Sequence, residues 1–182
     1  IASKGDVEVG VVDISKFNVG DLVNIKGDFS TSPWTTDNRG YLTKGETNIV
    51  VDINLTTKKI RLGKPLSDDW VTGEIVSIRP VKPIKNVVIR GLTIKATNDI
   101  PTERTYRGIY LENGFMCSVE NCHIENCGMM TIVSAYGFSN LFSDNVIVNA
   151  WAGDLKKSEL TNILGYALRC ESETASIISR NR

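Results

Sequence analysis

Two glutamates, Glu112 and Glu171, together with Tyr110 and Arg169 two residues before each, are the side chains of this sequence best suited to chemistry. A β-strand turns alternate side chains to opposite faces, so Tyr110 and Glu112 share one face of their strand, and Arg169 and Glu171 share one face of theirs. Paired carboxyl groups can cleave a sugar bond: about 5 Å apart they suit a retaining glycosidase, and at about 6.5 to 9.5 Å an inverting one. Aromatic rings stack on sugar faces, while guanidinium and carboxylate groups bind hydroxyls or uronates. Two polar stretches add Asp99, Glu103 and Arg104 on one side, and Trp151, Asp154, Lys156 and Lys157 on the other, as candidate substrate-binding residues.

The elements that must position these groups are announced by a repeat. A shift of 23 residues carries Ile109 onto Ile132, Gly114 onto Gly137, Phe115 onto Phe138, Ile124 onto Ile147 and Asn126 onto Asn149. A period of that size is one coil of a solenoid, whose units bury apolar side chains only by stacking on one another. Shifting back by 30 places Ile89 on Val119 and Ile94 on Ile124, and a shift of 36 takes Ile132 to Leu168 and Phe142 to Ile178. Three sheets result. The first holds Gly108 to Glu112, Thr131 to Ala135 and Ala167 to Glu171; the second holds Val87 to Arg90, Met116 to Glu120, Asn140 to Ser143 and Ser176 to Ser179; the third holds Leu92 to Lys95, Cys122 to Glu125 and Asn145 to Val148. Gly91, Asn121 and Asp144 fall at the turn between the second and third sheets, where glycine, asparagine and aspartate best tolerate positive φ.

Coil lengths then point to a face. The connections Ala96 to Tyr106 and Trp151 to Gly165 are expanded, whereas Asn126 to Met130 is short, and both expansions lead into the first sheet. Insertions of this kind line the binding surface of solenoids, so the outward residues of the first sheet become the floor between two walls. Glu112 and Glu171 stand two coils apart, about 10 Å between backbones at about 4.8 Å per coil, which leaves only the inverting geometry within side-chain reach.

Ahead of the coils, residues 1–80 read as a separate small β domain, a barrel or sandwich, with coils over 81–182. Its strands are expected around Gly5 to Val12, Leu22 to Ile25, Thr47 to Asn54, Lys59 to Leu62 and Gly73 to Arg79, with Pro80 and Pro83 bracketing a break. Composition excludes more than it selects. With 21 Lys+Arg against 21 Asp+Glu the formal net charge is +0, so there is no basic surplus for nucleic acid, and no apolar run reaches the roughly 18 residues of a membrane span. Cys117, Cys122, Cys127 and His123 lie at five-residue steps that fit no common zinc spacing; they read as core or turn residues, and neither a metal nor a cofactor is expected.

The order of these features resembles the pectate-lyase-like superfamily of right-handed parallel β-helices, especially bacteriophage tailspikes and appendage proteins. The resemblance is carried by Val19-Gly20-Asp21-Leu22-Val23, by Ile60 to Leu66, by Pro80 to Ile94 and by Ser118 to Cys127. It implies an all-β chain of about three to four coils with a small β domain inserted near the start. It also implies a homotrimer on a virion, or otherwise an extracellular protein, that binds or cleaves bacterial cell-surface polysaccharide along the outer face of the first sheet, as a hydrolase or lyase if it is an enzyme. Pectate lyases proper set a calcium-binding aspartate cluster on that face; Glu112, Ala135 and Glu171 stand there instead, against calcium-dependent elimination. A structural β-helix shaft or adaptor, whose first sheet would be buried between chains, and a secreted lyase or epimerase are the alternatives. Because the coil at Ser176 to Ser179 would end with nothing stacked on it, the chain is expected to continue beyond Arg182.

Overall fold

The computed structural model describes residues 2–28, 43–70, 76–96, 107–127, 130–148, 150, 166–172 and 174–182, and divides into two compact units, Ile1–Pro83 and Ile84–Arg182. In the first unit, β1 (Glu8–Gly10), β2 (Leu22–Asp28), β3 (Thr43–Asn54), β4 (Lys59–Leu62) and β5 (Val76–Val81) form one antiparallel sheet in the order β1-β4-β3-β2-β5. The long β3 pairs with β2 up to Ile49 and with β4 from Val50, and the register shifts between Val50 and Asp52. Such a bulge bends a strand, and here it lets one strand serve both halves of the sheet. Alternating residues of these strands bury a single core with Val9, Val23, Ile25, Val50, Ile60, Leu62 and Trp70.

At Pro80 the structure departs from the expected break. β5 runs through it to Val81, with Pro80 opposite Val23. Because β5 is an edge strand, the N–H that proline lacks can be missing on the unpaired side without loss of a ladder bond.

The second unit is a right-handed parallel β-helix. Short strands β6 (Ile84–Lys85), β7 (Val88–Arg90) and β8 (Thr93–Lys95) begin it; β9 (Arg107–Glu112), β10 (Gly114–Phe115), β11 (Ser118–Glu120) and β12 (His123–Glu125) form the next coil. β13 (Met130–Ala135), β14 (Leu141–Ser143) and β15 (Val146–Val148) form another, and β16 (Tyr166–Glu171) and β17 (Ile177–Ser179) the last. The first sheet is β16-β13-β9, the second β17-β14-β11-β7 and the third β15-β12-β8, all parallel. The registers Ile109↔Ile132↔Leu168, Ile89↔Val119↔Phe142↔Ile178 and Ile94↔Ile124↔Ile147 are those of the sequence shifts. A fourth, two-residue ladder, β10 with β6, continues as the bridges Phe115↔Phe138↔Thr174; it lies within the expected coil without having been resolved as a separate strand.

Inward columns carry the stability of this unit. Val119 and Phe142 are fully buried, whereas Ile178, in the last coil, is 56% exposed, because among the described residues it is stacked on one side only. The corners between strands are left-handed. Asn113, Tyr136 and Ser172 form one positive-φ column, Asn86, Met116, Ser139 and Ala175 a second, and Gly91, Asn121, Asp144 and Arg180 a third.

A left-handed corner turns one N–H and one C=O out of the strand ladders. After the corners at Ser139, Asp144 and Arg180 the next residue is an asparagine that meets this need with its side chain. Asn145 accepts from Cys122 N at 3.0 Å and donates to Val119 O at 2.9 Å; Asn140 does the same for Cys117 N and Gly114 O. Asn181 extends the column, accepting from Asn145 N and donating to Phe142 O. Replacing Asn145 by Ala leaves a buried N–H and a buried C=O unpaired, at about 1–3 kcal/mol each. Urea denaturation of Asn145→Ala should therefore show a loss of roughly 2–6 kcal/mol with an unchanged m-value, and a loss within experimental error would show that water replaces the carboxamide.

Candidate functional site

The first sheet brings Glu112 and Glu171 into one row. Their register is Glu112↔Ala135↔Glu171, and the row two residues earlier is Tyr110↔Val133↔Arg169. Ile109 and Leu111 are buried on the inside, and Tyr110 is 46% exposed, as alternation requires. Two strand spacings of about 4.8 Å separate the glutamates, with a methyl-bearing residue between them.

The middle of this face is closed, however. Val133 and Ala135 share the outward rows but are only 2% and 1% exposed. The accessible groups are therefore the flanking ones, Tyr110 and Glu112 on β9 and Arg169 and Glu171 on β16. Asp99, Glu103, Arg104, Trp151, Asp154, Lys156 and Lys157 lie outside the described residues, as do the two expanded connections that carry them.

The two glutamates differ in their surroundings. Arg169 Nε donates to Glu171 Oε1 at 2.6 Å, a pair formed along one strand face. Glu112 has no hydrogen bond or ion pair among the described residues. The spacing of two residues between an arginine and a glutamate on a strand is a readable signal for that pairing, which makes Arg169 a partner of Glu171.

Elsewhere on the coils the acids are also matched. Arg90 pairs with Glu120 at 2.6 Å, Lys95 with Glu125 at 3.1 Å, and Arg180 with Asp144 through two hydrogen bonds of 2.6 and 2.7 Å. His123 Nε2 lies 2.7 Å from Glu125 Oε1 on the outer face of the third sheet. Cys117, Cys122 and Cys127 are buried at three successive corners of one coil, each just after a left-handed residue. The Cys117 thiol donates to Ile84 O at 3.3 Å and the Cys122 thiol to Glu120 O at 3.4 Å, while burial pushes the Cys127 thiol up. Among the described residues no three His, Cys, Asp or Glu side chains come together as a metal site.

These pairs set the acid response of the coils. A hydrogen bond from Ser118, then Arg90, holds Glu120 below its ordinary 4.5; Lys95, then His123, does so for Glu125; and Arg180 holds Asp144 below 3.8. The folded chain thus binds these protons more weakly than the unfolded one. The stability they supply is complete above the ordinary values and is lost as pH falls through and below them. Replacing all three together, Glu120→Gln, Glu125→Gln and Asp144→Asn, should flatten the fall in urea midpoint between about pH 6 and about pH 3; an unchanged slope would assign acid sensitivity to other carboxyls.

No family model and no curated protein matches this sequence. Among solved structures, the chain is similar to the tailspike protein of Pseudomonas phage LKA1, with a TM-score of 0.55 and 14% identity, over 80% of this chain and 23% of that one. It is also similar to the tailspike of Acinetobacter baumannii bacteriophage AP22, solved in complex with A. baumannii capsular saccharide, with a TM-score of 0.45 and 19% identity, over 100% of this chain and 32% of that one. The chain spans less than a third of each of these proteins. What the first of these similarities shows, together with the parallel registers, is the fold: a right-handed parallel β-helix like that of a phage tailspike.

Proposed function

We propose that this chain recognises a bacterial cell-surface polysaccharide along the outer face of its first sheet, as part of a trimeric phage tailspike or a related extracellular protein. The observation that carries the reading is the pair of parallel rows, Tyr110↔Val133↔Arg169 and Glu112↔Ala135↔Glu171. They set an exposed aromatic ring, a carboxylate and an ion pair on one side of a stiff sheet. A polymer is bound by many modest contacts along its length, and a parallel sheet of repeating coils presents contacts at a fixed interval. The connections that lead into β9 and β16 are the long ones, which supports the same face.

Within that reading, Glu112 and Glu171 act as the two carboxyl groups of an inverting hydrolase. Glu171, oriented by Arg169, holds and deprotonates the attacking water, and Glu112 protonates the leaving oxygen. Their backbones stand about 10 Å apart, which puts the two carboxyl groups within side-chain reach of the inverting separation.

A structural shaft packed through the first sheet would need Val133 and Ala135, the apolar residues of its outward rows, as an uncovered floor between chains. Both are already buried within the single chain, so they supply no uncovered apolar floor for subunit packing.

Purified bacterial capsular polysaccharides, tested by calorimetry for binding and by assay for new reducing ends, decide the matter. Binding in the micromolar range or tighter is expected for at least one polymer, and neither binding nor cleavage of any would overturn the proposal. If the two glutamates are catalytic, Glu112→Gln and Glu171→Gln should each slow release of reducing ends by about a hundredfold or more while binding persists; cleavage at the parent rate would remove them from the reaction.

A further inference from the structure

Resting on the polysaccharide reading, we infer that Tyr136 is a further ligand-contacting residue of this face: its ring stacks on a sugar unit at the edge of the row that carries Glu112 and Glu171. The inference comes from what the middle coil offers there. Its strand β13 runs between the two glutamates, yet Thr131, Val133 and Ala135 are 1%, 2% and 1% exposed. A polymer lying across the row therefore gains little from the side chains of β13 itself. The side chain of that coil which does reach the surface beside the row is the corner residue that follows it, Tyr136.

Backbone hydrogen bonds fix its place. Asn113, Tyr136 and Ser172 are the corners that follow Glu112, Ala135 and Glu171, and they stack in one column. Tyr136 N–H donates to the Glu171 carbonyl at 2.8 Å, and Asn113 N–H donates to the Ala135 carbonyl at 2.9 Å. Tyr136 thus stands between two polar corners and directly against the backbone of Glu171. It is partly exposed while Ala135 and Gly137 on either side of it are buried, and none of the corner residues in the three columns is buried. Corner side chains therefore turn outward.

Stacking imposes the left-handed conformation at this corner but does not call for a ring, since Asn113 and Ser172 hold the equivalent positions. Tyr136 has a φ of 57°, a region where a bulky side chain is unfavourable and asparagine or glycine is preferred. A large residue kept in such a conformation, where its column neighbours are small and polar, points to a use outside the fold. A tyrosine ring is a large, rigid surface with only two side-chain torsions to immobilise, and it suits the C–H face of a sugar. With Tyr110 two residues before Glu112 and Tyr136 one residue after Ala135, the glutamate row has an aromatic side chain on each side. A sugar held against either ring keeps the adjoining unit of the polymer over the carboxylates, where the bond to be cleaved must lie.

The test is calorimetric titration of the full chain and three variants with a panel of purified bacterial capsular polysaccharides, beside their urea midpoints. Tyr136→Asn places at this corner the residue type found at Asn113. It should weaken binding of the polymer that the parent chain binds by about tenfold or more, as loss of a well-packed aromatic contact does, with a urea midpoint unchanged or raised. Tyr136→Phe, which keeps the ring, should bind within about threefold of the parent, and Tyr136→Leu, apolar without a ring face, should lose about as much as Tyr136→Asn. Where the polymer is also cleaved, the loss should appear in KM with kcat little changed, since the ring holds substrate and transition state alike. Binding at parental affinity by Tyr136→Asn, or by Tyr136→Leu should the asparagine variant fail to fold, would overturn the inference while leaving polysaccharide recognition intact. Failure of the parent chain to bind any polymer of the panel would overturn the recognition reading itself, and this inference with it.

Discussion

Everything in the coil unit depends on closing a backbone circuit at left-handed corners. Each corner places a residue at positive φ, a conformation that costs non-glycine residues about 1–2 kcal/mol, and turns peptide groups away from the strand ladders. The cost is accepted because the strand that follows then lies in parallel on its predecessor. The peptide groups that the corners leave behind are met by side chains from the next coil. Asn140, Asn145 and Asn181 do this with a carboxamide, which carries a donor and an acceptor on separate atoms. Where the column has Cys117 and Cys122, a thiol supplies only a weak donor, and the next coil's asparagine completes the set.

The parallel registers were legible in the sequence because stacking forces like onto like. Ile109, Ile132 and Leu168 had to be apolar for the same reason, so a shift that aligned them also aligned the strands. The corner column Gly91, Asn121 and Asp144 was legible because few residue types tolerate positive φ. Met116, Tyr136 and Arg180 occupy equivalent corners against that preference, and no local rule would have found them; stacking overrides propensity there. The asparagine ladder was hidden for another reason. Asn145 reads only as the start of a third-sheet strand, and it is the fold that shows its side chain turned inward onto that of Asn181.

The candidate site was half legible. Alternation on the first sheet gave Tyr110, Glu112, Arg169 and Glu171 their common side, since it needs only the strand period. What alternation cannot supply is cover: Val133 and Ala135 obey the same period and yet are closed to solvent. Nor does it distinguish the two glutamates, which sequence treats as equals and the ion pair of Arg169 with Glu171 separates. The difference lies in a neighbour two positions away on one strand, a distance at which identity matters as much as spacing.

The registers across β9, β13 and β16 also bear on how such a chain can diversify. From Ile109 to Ile132 the coil takes 23 residues and from Ile132 to Leu168 it takes 36, yet both pairs sit in the same column. The second and third sheets keep step, with Phe142 over Val119 and Ile147 over Ile124, so the surplus falls after β15 and before β16. Stacking thus constrains three sides of each coil and leaves one segment uncommitted. A change in the length or sequence of that segment leaves the inward columns in register, so the coil frame and what lies beside its first sheet can vary independently.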